Sequence, residues 1–396
     1  MSPSPAVRTS RNLIAIVAAC LLGLGPIACS DGTGPSGGGG FALARVDAGY
    51  FHSCGITTGG ETWCWGSNFL GLLGRDDVDD SAIPVRADLT ARLADIDVGG
   101  SSTCGVTSDG TTWCWGHNDE GQLGDGTFQD RERPFQLAGL PPLRSVSVGH
   151  AHACGLAADG EAWCWGDNFR GQLGRGFVGG KSGVPEAVST PVRFRQLHAG
   201  YYATCGISLD DEPYCWGRNE DGQMGVGTQV SFGTPTAVEG GLKVRSIYPG
   251  DRATCAVTLG GDTWCWGTHE DGLLGSHSFD AAVVPSKVEG MPTLDRVRVA
   301  LGASANVGSR RYACGVASDG ETWCWGEGVP ARGSPASSVP VGLTSIGTIE
   351  GSDLPATGGA HLCVIRDGSA QCAGSNFAGQ LGDGSTEDRS VLTPVG

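Results

Sequence analysis

The chain has 396 residues, with 68 Gly, 16 Cys, 17% charged residues and a formal charge of −16. So much glycine disfavours long helices and suits many short strands joined by tight turns, and the length admits two or three average domains or one large β architecture. The acidic balance argues against a nucleic-acid partner, because phosphate binding needs clustered Lys and Arg, and it favours a soluble monomer. The cysteine count points to an oxidising compartment.

Arg8 and Arg11 precede an apolar stretch from Leu13 to Ile27, 15 residues long. That is the pattern of an export signal and is short for a membrane span. The stretch ends at Ala28-Cys29 and runs into a Gly/Ser segment, which resembles the signal of bacterial lipoproteins, whose cysteine after the cut receives the lipid. The resemblance implies a signal peptide over 1–28, a lipid on Cys29 that ties the protein to a membrane of the cell envelope, and a flexible tether over 29–40. Pro26 stands where such signals usually have Leu, and Cys20, after "VAA", offers a rival cut. Counting thiols separates the two, since a cut before Cys29 leaves 14 other cysteines to pair, whereas a cut before Cys20 strands Cys29 as an odd one. The alternative is a plain secretory signal and a secreted product without lipid. Removal of 1–28 takes two positive charges and leaves −18.

From residue 41 onward the chain repeats itself. The leading cysteines Cys54, Cys104, Cys154, Cys205, Cys255, Cys314 and Cys363 are spaced by 50, 50, 51, 50, 59 and 49 residues. A period near fifty points to a propeller or solenoid. The approximate units are 41–90, 91–140, 141–190, 191–241, 242–292, 293–349 and 350–396. One of them, "LADIDVGGSSTCGVTSDGTTWCWGHNDEGQLGDGTFQDRERPFQL", reads as four strands: 95–98, 103–107, 111–115 and 133–137, the last with a Pro suited to a sheet edge.

Between the second and third strands, Ser108-Asp109-Gly110 fits a three-residue hairpin loop with Gly last. Pairing Thr107 with Thr111 across it sets Cys104 opposite Cys114. The same count pairs Cys54 with Cys64, Cys154 with Cys164, Cys205 with Cys215, Cys255 with Cys265 and Cys314 with Cys324. The last unit, "CVIRDGSAQC", is one residue shorter, and its two-residue Asp367-Gly368 turn still sets Cys363 opposite Cys372. Seven hairpin disulfides follow. All 11 tryptophans flank these cysteines. Side chains alternate along a strand, so Trp113 and Trp115 share the face that Cys114 does not, and in a radial array the tryptophan face of one unit presses on the disulfide face of its neighbour. Zinc is the rival use of paired thiols, but a structural site takes four ligands in close pairs and each unit offers two thiols far apart.

The unit resembles the repeat of the regulator of chromosome condensation family. The likeness lies in "AGYFHSCGIT…GETWCWGSNFLGLLG" (48–74) and in "HNDEGQLG" (117–124), "DNFRGQLG" (167–174), "RNEDGQMG" (218–225), "THEDGLLG" (268–275) and "SNFAGQLG" (375–382). It implies an all-β fold, a seven-bladed β-propeller of four-stranded antiparallel blades over 41–396. The family's namesake is an exchange factor for a nuclear GTPase that binds chromatin, and neither role suits an exported, acidic chain. Secreted bacterial relatives include a β-lactamase inhibitory protein, which binds its enzyme with one propeller face.

His52, His152 and His361 share one repeat position, which the other units fill with Ser102, Ala203, Ala253 and Tyr312. A histidine ring could hold a metal; the plainer reading is the family's usual residue satisfied by a backbone hydrogen bond, and it is preferred. "GDGTFQDR" (124–131) and "GDGSTEDR" (382–389) resemble calcium loops only faintly, lacking the alternating oxygen ligands. No Ser-His-Asp set or paired carboxylates stand out, so no catalytic residue, metal or cofactor is assigned. The units differ most around "ASANVGSRRYA" after Gly302, a first turn seven residues longer than its counterparts, which puts Asn306, Arg310 and Arg311 forward as a partner-binding loop. Blade six has also lost its "GQLG" loop, and 174–188 reads as an extended segment. The blade phase is open. If the fourth strand pairs within its own unit, the ring closes by packing alone; if it pairs with the next unit, "VLTPV" (391–395) joins the N-terminal "FALARVDAG" and clasps the ring, which is the more attractive of the two. The reading as a whole is a lipid-anchored scaffold for a protein or glycan partner, with inhibition of an extracytoplasmic enzyme as one form of it. A metal-assisted propeller lyase or hydrolase is the alternative, and an exchange factor the third option.

Overall fold

β-branched and aromatic residues between Gly-rich turns build strands, and they do so here at the repeat period. In the computed structural model, which describes residues 42–268, 272–274, 281–300, 311–327, 329, 344–349 and 354–396, the first unit folds as β1 (Leu43–Ala48), β2 (His52–Thr57), β3 (Thr62–Gly66) and β4 (Ser81–Arg86). These pair antiparallel in sequence order, and six more sheets of the same order follow. The first strands of successive sheets pack side by side around an axis. The protein is an all-β, seven-bladed propeller of four-stranded antiparallel blades.

Cys54 and Cys64 face each other across β2 and β3, and the same holds for the other six pairs. Seven disulfides join them, with Cα–Cα separations between 4.0 and 4.2 Å. The turn chemistry sets this register. Gly110 takes φ of +85°, open to glycine at little cost, and the Thr107 amide donates to the Thr111 carbonyl at 2.9 Å. In the last blade Asp367 and Gly368 both have positive φ, 52° and 72°, as a two-residue mirror-image turn requires.

The two tryptophans of each motif divide the work. Trp65, Trp115, Trp165, Trp216, Trp266 and Trp325 are fully buried, and each packs in a cluster that includes cysteines of the preceding blade or their neighbours. Each indole N–H also donates to a backbone carbonyl in the loop after the third strand of that blade: Gln380, Leu72, Gln122, Gln172, Gln223 and Leu273 respectively, at 2.9–3.1 Å. Five of those six loops are organised by one asparagine each, the Leu273 loop having His269 in its place. Asn118 Oδ1 accepts the Leu123 amide while its Nδ2 donates to the Gln129 carbonyl, and Asn168, Asn219 and Asn376 repeat the pattern on the amides of Leu173, Met224 and Leu381. The motif therefore ties a blade internally by sulfur and to its neighbour by indole.

Near the axis the backbones come closer still. A Cβ on Gly49 would lie 2.2 Å from the Gly99 carbonyl oxygen of the next blade, so only glycine fits. This approach lets the Gly100 amide donate to Gly149 O at 3.0 Å and the Gly359 amide to Gly49 O at 3.2 Å.

The ring is not clasped by a shared sheet. The C-terminal strand Arg389–Pro394 pairs with Ser369–Gly374 of its own blade, Thr393 opposite Cys372, and not with β1. The first and seventh blades meet by side-chain packing and by hydrogen bonds: Trp65 Nε1 to Gln380 O at 3.0 Å, Ser53 Oγ to the same carbonyl at 3.0 Å, and His361 Nε2 with Ser53 Oγ at 2.8 Å. The segment 174–188 is extended by a single residue. Trp163 pairs with Ala187 where Trp113 pairs with Gln136, one residue longer across the whole span.

Candidate functional site

The three repeat-position histidines are locked rather than poised. His52, His152 and His361 are fully buried. Each Nε2 is hydrogen-bonded to a hydroxyl of the following blade, Thr103, Thr204 and Ser53, at 2.8–2.9 Å. The partner is a side chain, not the backbone expected from the sequence, because the neighbouring second strand presents Ser or Thr wherever the histidine occurs. Burial lowers all three pKa values to about 3, so the rings are neutral. Among the described residues no group of three His, Cys, Asp or Glu side chains converges on a metal position. The two calcium-like loops are filled by arginine: Asp125 accepts from Thr127 and from Arg131 Nε at 2.7 Å, and Asp383 from Ser385 and from Arg389 Nε at 2.6 Å.

Of the proposed partner loop, Asn306 and Arg310 lie outside the described residues. Arg311 opens the strand Arg311–Val316, opposite Glu327. Cys29 is also outside the described residues.

A different surface collects the features of a binding site. Because His52 pairs with Gly66, the turn after β1 and the loop after β3 emerge on the same face of the propeller, and the same holds in blades three and seven. Those loops carry Phe69, Phe169 and Phe377, which are 72%, 65% and 54% exposed. All three follow the loop-organising asparagine, which fixes the backbone beneath them. The turns supply the inner rings. His150 stacks on Tyr201 at 4.2 Å between centroids and 4° between planes, Tyr50 lies 5.5 Å from His150, and Phe51 meets Phe377 edge-on at 5.8 Å. A Cβ on Gly100 would come within 2.9 Å of the His150 ring, so this glycine opens the space that the stack occupies.

Two depressions lie in this aromatic arc, with Ser101 and His117 on the rim of both. One, of about 640 Å³, is walled by Phe51, Phe69, Leu72 and Phe377. The other, of about 690 Å³, is lined by Phe169 and Tyr202 and edged by Asp119, Glu120 and Asp167. The sequence carried a signal for the arc, since Phe stands in one loop position in three units and an acidic residue in others, but the loop signature around it masked the choice.

Comparison with known proteins places the fold. No curated protein sequence matches the chain. Among solved structures, human WBSCR16 superposes with a TM-score of 0.72 at 21% identity, over 85% of this chain and 94% of that one. Yeast RCC1 (Prp20), solved bound to Kap60, gives 0.62 at 19% identity over 72% and 70%. Prp20p from Saccharomyces cerevisiae, described with its binding to Gsp1p and histones, gives 0.61 at 17% identity over 89% and 76%. At these identities the likeness carries the fold alone. The family model of the RCC1-like domain matches residues 22–331, most of the chain, and the protein belongs to the RCC1-like domain family.

Proposed function

We propose that this protein is an exported binding scaffold that engages a protein partner through the aromatic face. The observation that carries the reading is the arc of exposed Phe69, Phe169 and Phe377 beside the Tyr50, His150 and Tyr201 rings on one face of a rigid ring. Aromatic side chains held on a stiff frame lose little entropy on binding, and burying one yields roughly 1.5–3 kcal/mol. Seven disulfides suit work outside the cytoplasm. With a lipid on Cys29 and the 29–40 segment as tether, the propeller would present this face at the cell envelope, where occluding an extracytoplasmic enzyme is one use of it. A glycan is the second reading, favoured by the depression that joins Phe169 and Tyr202 to the carboxylates of Asp119, Glu120 and Asp167.

Crosslinking on intact cells followed by capture tests the face. The triple change Phe69→Ser, Phe169→Ser and Phe377→Ser should abolish the crosslinked partner while leaving the melting temperature within about 2 °C, because exposed side chains contribute little to folding. Retention of the partner by the triple variant would reject the aromatic face as the site. Lipid labelling of the whole cell product, lost in Cys29→Ala, tests the anchor separately.

A further inference from the structure

A second site lies on the axis, away from the aromatic arc. Five residues that stand opposite the first cysteine of their blades, Asp47, Asp97, His198, Tyr248 and Arg298, line an axial cavity of about 330 Å³ together with Gln196 and Arg296. A cavity of this size falls in the small-molecule range.

The polar atoms around it are unusual in being buried and unsatisfied. Arg298 sits 5.1 Å over the Tyr248 ring and pairs with Asp47 through Nη1 at 2.7 Å, but its Nε and Nη2 have no partner. Neither do the Tyr248 hydroxyl, His198 Nδ1 or Gln196 Oε1. Arg298 is 8% exposed and Tyr248 2% exposed, so water outside the cavity does not satisfy them. Leaving such atoms unpaired is costly, and each has a hydrogen-bonding role to offer a guest.

The charges inside give the sign of that guest. Asp47 and Asp97 are engaged structurally, accepting the Val98 and Val148 amides of the following blades at 2.7 and 3.1 Å. Arg45 is paired with Asp95, and Arg195 with Asp211 at 2.7 Å. Burial and the neighbouring Asp47 push Asp97 up to about 8, against the pull of Arg298, so near neutral pH it is mostly protonated. Arg296 remains, with no ion pair to any described residue. Among the described residues the cavity thus holds one positive charge in excess, within a chain of −16. The free Nε/Nη2 edge of Arg298 presents two parallel N–H groups, the geometry that a carboxylate accepts side-on. The Gln196 oxygen and the Tyr248 hydroxyl complement a ligand that also carries hydroxyl groups.

We propose that the axial cavity binds a small hydroxycarboxylate of uronic-acid size, its carboxylate on the Nε/Nη2 edge of Arg298 and its hydroxyls towards Gln196 and Tyr248. Arg296 supplies the long-range attraction and Asp47 keeps the guanidinium in place. The site is independent of the aromatic face, and either could fail without the other.

Thermal unfolding of the mature chain with D-glucuronate as probe tests this, against glucose and against sodium chloride at equal ionic strength. Glucuronate should raise the melting temperature saturably, as a ligand of the folded state does, and glucose and salt should not. Arg298→Lys keeps the charge but loses the fork and should weaken the apparent affinity by about tenfold or more. If that variant does not fold, Arg296→Gln and Gln196→Leu, which leave the Arg298–Asp47 pair intact, should each weaken it severalfold. A response absent with glucuronate, matched by glucose or salt, or unchanged in Arg296→Gln and Gln196→Leu would overturn the assignment and leave a water-filled channel.

Discussion

Trp113 and Trp115 stand two residues apart on one strand and differ in what their indole N–H meets. Trp115 is fully buried and donates to the Leu72 carbonyl of blade one at 3.1 Å. Trp113 is half-buried, and its Nε1 lies buried without a partner. Replacing either by Phe removes the N–H and one fused ring. At position 115 the Leu72 carbonyl loses its donor, which costs about 1–3 kcal/mol, and the shrunken ring in a packed seam adds roughly 1 kcal/mol. At position 113 the change deletes an unsatisfied donor from a partly open site and should fall within about 0.5 kcal/mol of neutral. Trp115→Phe is therefore expected to be less stable than Trp113→Phe by about 2–4 kcal/mol. Guanidinium unfolding under non-reducing conditions measures this as a lower midpoint at unchanged slope. Hydrogen exchange supplies a local readout, because the Leu73 amide, bonded to Asn68 Oδ1 at 2.9 Å, should lose protection in Trp115→Phe alone. Equal losses at the two positions, or an unmoved Leu73 amide, would refute the assignment of the second tryptophan as the tie between blades.

Acid should weaken the fold steeply. Burial holds His52, His152, His198 and His361 down to about 3 and His150 to about 4, so below their unfolded value near 6.5 the unfolded chain binds more protons and stability falls with pH. Asp97, raised to about 8, acts in the other sense: its contribution is present below about 3.9 and is lost as pH rises through 8. The net of about four protons gives an upper bound of roughly 5 kcal/mol per pH unit below pH 6. Denaturant midpoints at pH 7 and 5.5 read it, and a flat profile would contradict the neutral, buried histidines. Removing one staple with Cys104→Ala and Cys114→Ala should cost about 2.5–3 kcal/mol from the closed loop of about eleven residues; a change below about 1 kcal/mol would mean that the unfolded chain is already constrained there.

The disulfide pattern was legible because it follows from counting across a turn. A three-residue loop with terminal Gly110, and a two-residue loop where the unit is one shorter, both place cysteine opposite cysteine, so the register is fixed locally. Ring closure was not legible for the converse reason. The strand at 389–394 has an edge free to pair in either direction, and whether it meets Ser369–Gly374 or β1 depends on long-range packing that no local signal reports. The axial residues escaped for another reason. Asp97, His198, Tyr248 and Arg298 stand where the units disagree, while a search for repeats weights the positions where they agree. Phe69, Phe169 and Phe377 lay inside a quoted motif, but only the placement of that loop beside the first turn shows that they share a face with Tyr50 and Tyr201.

One seam shows what the second tryptophan is for. At six seams of the ring an indole donates to the loop of the preceding blade. At the remaining one the sequence of blade six has "EGVPARGSPASSVPV" in place of the loop, and blade seven has Ala373 in place of the tryptophan, fully buried. The disulfide Cys314–Cys324 is nevertheless kept in blade six. If the tryptophan served only to cover the neighbour's disulfide, it would be wanted here as elsewhere; its loss together with the loop says that donor and acceptor form one device. This seam relies on apolar packing around Tyr312, Leu362 and Val364 and on the Tyr312 hydroxyl donating to His361 O at 2.9 Å. Ala373→Trp alone should destabilise by roughly 1–3 kcal/mol through overpacking. Grafting the blade-two residues 117–124 after Trp325-Gly326 should by itself do little. Together the two changes should be more stable than the sum of their separate effects by about 1–2 kcal/mol, the worth of a buried inter-blade hydrogen bond. A double-mutant cycle by denaturant unfolding measures the coupling, and strict additivity would show that the tryptophan answers to the sulfur and not to the loop.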